Sequence, residues 1–69
     1  MIFVFKTSVK TKTQLKKLKP YIDKILPNAK WNFDLQDIDK ILRIDSEENI
    51  VLIIIALLHS HSFRCEELE

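Results

Sequence analysis

Glycine is missing from all 69 residues, where average usage would supply about five. Phosphate-binding loops and dinucleotide fingerprints need glycine for tight turns and close backbone approach, so both are excluded and no cofactor is expected. One cysteine, Cys65, rules out an internal disulfide and points to a reducing, cytoplasmic setting. The longest apolar run, Ile50 to Leu58, is about half the length that a bilayer span requires. The apolar stretch after Met1 stops at Lys6, too soon for a secretory leader. No membrane association is expected.

What remains is a chain of 8.2 kDa that is 46% apolar and 30% charged. That balance suits one folded domain over residues 1–69, not a disordered segment. Surface scaling gives such a monomer about 4,500 Å² of folded surface, a thin margin for enclosing an active-site cavity. Charge is nearly balanced overall but not along the chain. Residues 1–30 carry eight lysines against Asp23, whereas residues 31–69 carry three bases against nine acids. Such a dipole suits steering towards a charged partner or head-to-tail contact with another copy.

Local patterns give an order of elements. Residues 2–6, IFVFK, read as a strand, with Ile2 and Val4 on one face and Phe3 and Phe5 on the other. Leu15, Leu18, Ile22, Ile25 and Leu26 form one helical stripe, and Thr11 with Gln14 has capping-box spacing. Pro20 falls on the solvent side of that stripe, and Pro27-Asn28 ends it. Trp31, Phe33 and Leu35 alternate with polar residues as a half-buried strand. Residues 37–40, DIDK, form a turn, and Ile41 to Ile44 a further strand. Ser46 is the expected N-cap of a second helix, with Glu47 and Glu48 in its first turn. Its inward stripe is Ile50, Ile54, Leu57 and Leu58, with Ile53 and Ile55 on the flanks and Leu52 and Ala56 outward. FRCEEL, residues 63–68, closes the chain as a strand.

The resulting β-α-β-β-α-β order, with LPNA closing the first helix, Asp45 closing the hairpin and Ser62-Phe63 opening the last strand, resembles the heavy-metal-associated domain of copper chaperones and metal pumps. The resemblance implies an α+β ferredoxin-like two-layer sandwich, a four-stranded antiparallel sheet with two helices on one face. That family binds soft metal through Met-x-Cys-x-x-Cys after its first strand. The corresponding positions here are Val9, Thr11 and Gln14, so the metal site does not carry over.

The remaining constellations are sparse. His59, His61 and Cys65 are metal-ligating types in an H-x-H-x3-C spacing, and they supply the alternative reading of zinc or copper binding. On a continuous helix, however, the two histidines would lie far apart around the axis. Lys12, Lys16 and Lys19 offer an anion contact, but the segment lacks arginine and exposed aromatics, so nucleic acid is not the expected partner. Asp34, Asp37, Asp39 and Asp45 flank a hairpin, where aspartate serves turns. No catalytic residue is assigned. The surplus of apolar positions, Phe3, Phe5, Leu52, Ile53 and Ile55, suggests an interface. The expected function is therefore a small non-catalytic module that binds another protein or a second copy of itself.

Overall fold

Alternation along the two central strands decides which side of the sheet is covered. The computed structural model describes residues 1–36 and 38–68. The elements are β1 (Ile2–Thr7), α1 (Lys12–Ile25), β2 (Lys30–Asp34), β3 (Ile41–Asp45), α2 (Val51–Ser60) and β4 (Cys65–Leu68). The strands form one antiparallel sheet in the order β2-β3-β1-β4. Each helix therefore carries the chain across one intervening strand. Together they give the expected ferredoxin-like two-layer sandwich.

Phe3 lies opposite Ile44 and Phe5 opposite Leu42, and all four are buried. They meet Leu18 and Ile22 of α1 and Ile54 and Leu58 of α2 in a single core. The expectation that Phe3 and Phe5 belong to an interface is thereby corrected. The next residue of opposite parity, Lys6, shares a face with Ile2 and Val4 and holds that face towards water. Arg43, between Leu42 and Ile44, imposes the same sign on β3.

The open face is a checkerboard of opposite charges. The register sets Lys30 beside Asp45 and Lys6 beside Glu66, and Lys6 also pairs with Asp39 at 3.5 Å. Such cross-strand pairs each add little, but together they suit a solvated surface. On the same side Ile2 is exposed and Val4, Ile41 and Leu68 are half-buried, so the charges interrupt an apolar row without replacing it.

Helix α1 starts as expected. Thr11 Oγ1 accepts from the Gln14 N–H at 3.1 Å, and Gln14 Oε1 accepts from the Thr11 N–H at 3.3 Å. Pro20 lies exposed within it. The stripe is as read except at Ile25, which is exposed, and Leu15, which is half-buried.

Helix α2 starts later than expected. Ser46 is not its N-cap, because Ser46 Oγ accepts from the Glu48 N–H in a local turn, and Asn49 Oδ1 accepts from the Val51 N–H in the next. Glu47 and Glu48 consequently precede the helix, and Ile50 caps it with no side-chain bond. At the other end the closure is complete. The Phe63 N–H donates to the Leu58 carbonyl and the Ser62 N–H to the His59 carbonyl, a Schellman motif. Ser62 adopts φ 67° there, a left-handed position that glycine usually fills. Because Phe63 completes this closure, β4 begins at Cys65 instead of Phe63. In the β2–β3 turn, Asp37 lies outside the described residues.

Candidate interaction surface

The helical layer presents two unlike surfaces. On α1, Leu18 and Ile22 point to the sheet, so Lys19 and Asp23 fall on one flank and Lys17, Tyr21 and Lys24 on the other. The first flank faces β2. Lys19 Nζ lies 3.0 Å from Asp23 Oδ2, the Trp31 indole N–H donates to Asp23 Oδ1 at 2.9 Å, and the ammonium sits 5.5 Å from the Trp31 ring. The lysine hydrogen bond first, and the indole second, lower the Asp23 pKa, against a smaller opposing effect of burial. The second flank faces α2, where the Tyr21 and His61 rings pack with centroids 4.6 Å apart.

No Lys, Arg, Asp or Glu occurs in Val51–Ser60, so α2 has no solvating face. Ile54 and Leu58 are buried in the core, and Ile55 is half-buried against it. The opposite side carries Leu52, Ala56 and His59, all exposed, with Leu52 at 81% and neighbouring Ile53 at 52%. A helix that is apolar all round is normally buried all round. Fully covering one such Leu or Ile side chain is worth roughly 1.5–3 kcal/mol. Of the five residues expected at an interface, Leu52 and Ile53 are therefore available, Ile55 only at its edge, and Phe3 and Phe5 not at all.

An open groove of about 630 Å³ continues this patch past the start of α2. Ile25, Ile50 and Ile53 contribute apolar walls, and Asp45, Glu47 and Glu48 line the rim together with Lys30. Sequence reasoning did not single out the exposed Tyr21 and Ile25 beside it. The signal was present, since Tyr21 falls off the buried stripe on the flank away from Asp23.

The metal-ligating types do not converge. His59 is exposed on the outward stripe, His61 packs on Tyr21, and Cys65 is buried beside Thr7 at the start of β4. Among the described residues no three His, Cys, Asp or Glu side chains are placed to hold one ion. Burial also pushes the Cys65 thiol up to about 12, which opposes both metal ligation and nucleophilic use at neutral pH. Lys12 and Lys16 are exposed on α1, whereas Lys19 is already engaged by Asp23. Among the described residues no helix is long and apolar enough to cross a membrane.

Comparison with protein families, with curated proteins and with solved structures finds no match to this chain. Its own residues must carry the functional reading.

Proposed function

We propose that this protein is a small non-catalytic interaction module, with a heavy-metal-associated-like fold that lacks the metal site, and that it works by docking another protein chain on the outer face of α2. A reducing, cytoplasmic setting suits its one buried thiol. The observation that carries the proposal is the pairing of an uncharged helix with a solvent-facing Leu52 at 81% exposure. The total surface supports it. At 5093 Å² the chain exposes roughly 560 Å² more than a monomer of its mass would by surface scaling.

Photo-crosslinking in the native cell tests this reading. A photoreactive residue at position 52 should give a discrete protein adduct, and one at Lys16 should not. Equal yields from the two positions, or none from position 52, would overturn the interaction reading.

A further inference from the structure

The partner that fits this surface is a second copy of the chain. Resting on the α2 docking reading, we propose a two-fold dimer in which α2 packs antiparallel on α2 of the other copy, centred on Ala56. Leu52, Ala56 and His59 follow one another at intervals of four and three residues, the spacing by which one helix seats on another. Ala56 at the centre removes the side-chain bulk that would hold the two axes apart. Around that centre, each Leu52 comes beside the partner's His59 and Ser60, and each Ile53 lies along the partner's flank.

Charge at the two ends of α2 selects this orientation. Glu47 and Glu48 stand exposed before its first residue. Arg64 stands exposed beyond its last, and Lys17 lies one turn before Tyr21, whose ring packs on His61 at that same end. None of these four has an ion-pair partner among the described residues. An antiparallel arrangement brings the two acids of each copy to the two bases of the other, and the symmetry makes the match twice. A parallel pairing would set acid against acid and base against base. Isologous contacts of this kind close at two subunits, without open-ended growth. A standard interface covers about 800 Å² per partner, more than one ten-residue helix supplies, so the contact is small and its association concentration-dependent.

Sedimentation equilibrium of the full chain, from micromolar to about 1 mM, tests the dimer. The expected result is a reversible monomer–dimer equilibrium. Leu52→Lys and Ala56→Arg, both at exposed positions, should weaken it about a hundredfold or more, because each change enters the interface twice. Their far-UV circular dichroism should match the parent at low concentration. Glu47→Lys with Glu48→Lys should weaken it about tenfold at low salt, and adding Lys17→Glu with Arg64→Glu should restore it. A parent that stays monomeric throughout, or a dimer indifferent to Leu52→Lys, would overturn the proposal. Failure of the fourfold variant to recover would overturn the antiparallel arrangement. A monomer in the centrifuge whose position 52 still crosslinks to a different protein in the cell would refute the second copy and leave the docking reading standing.

Discussion

The two helices lie in one layer over one sheet and meet water in opposite ways. Helix α1 packs Leu18 and Ile22 inward and surrounds them with lysines, so its outer side needs no cover. Helix α2 packs Ile54 and Leu58 inward and turns Leu52, Ala56 and His59 outward. Their ends differ as well: α1 has a reciprocal capping box at its start, whereas α2 has no side-chain bond at its cap residue and relies on a Schellman closure at its end. The lesson is that α1 is started by side-chain signals, whereas α2 is held by its buried stripe and a backbone closure at its end.

The sharpest break in that comparison lies within α2. Ile54→Ala should cost about 2–5 kcal/mol of stability, because Ile54 is fully buried and its loss leaves a cavity. Leu52→Ala, two residues away, should change stability by no more than about 0.5 kcal/mol in dilute urea denaturation. At high concentration the cost of Leu52→Ala should grow, since a partner that binds only the folded chain stabilises it by mass action. Equal costs for the two variants at low concentration would mean that Leu52 is packed within the monomer.

This contrast also marks what was legible in the sequence. The order of elements, the capping box and the solvent position of Pro20 were readable because each rests on residues close together in the chain. The start of α2 was misread for an equally local reason. Ser46 and Asn49 each accept a backbone N–H two residues on, the chemistry that Ser46 would have used as a helix cap. The inward side of β1 is misjudged when Phe3 and Phe5 are assigned to an interface, because both of its faces begin apolar. Only Lys6, at the end of the outward row, and Arg43 on the neighbouring strand settle it, and using them requires the register of Phe3 on Ile44. The candidate surface was half legible. Leu52 and Ile53 followed from helical geometry, whereas Tyr21 and Ile25 join them only through the packing of α1 beside α2.

The closure of α2 offers a smaller effect of opposite sign. Ser62 occupies a left-handed conformation at a cost of roughly 1–2 kcal/mol that glycine would avoid. Ser62→Gly should therefore raise stability by about 1 kcal/mol, the increase being reduced by the greater freedom of glycine in the unfolded chain. Thermal unfolding at a fixed low concentration reads this directly, and a loss of stability would show that the Ser62 side chain supplies more than its backbone costs. The comparison would then shift, because α2 would owe its end to a side chain as α1 owes its beginning.

The smallest effect belongs to the other flank of α1. Asp23 accepts from Lys19 and from the Trp31 indole, and these bonds hold its carboxyl below its ordinary value of 3.8. A carboxylate with a depressed folded pKa stabilises the fold above the ordinary unfolded value, and that contribution disappears as pH falls through the folded one. Trp31 is the only tryptophan, so its fluorescence reports this site alone. On acidification it should show an inflection below pH 3.8 that Asp23→Asn removes, while the unfolding curve at neutral pH moves little because the half-exposed pair is screened by water. An inflection at or above 3.8 would mean that the triad does not persist in solution. The lysine flank would then be a freely solvated face, and the ordered side of the helical layer would be the apolar side alone.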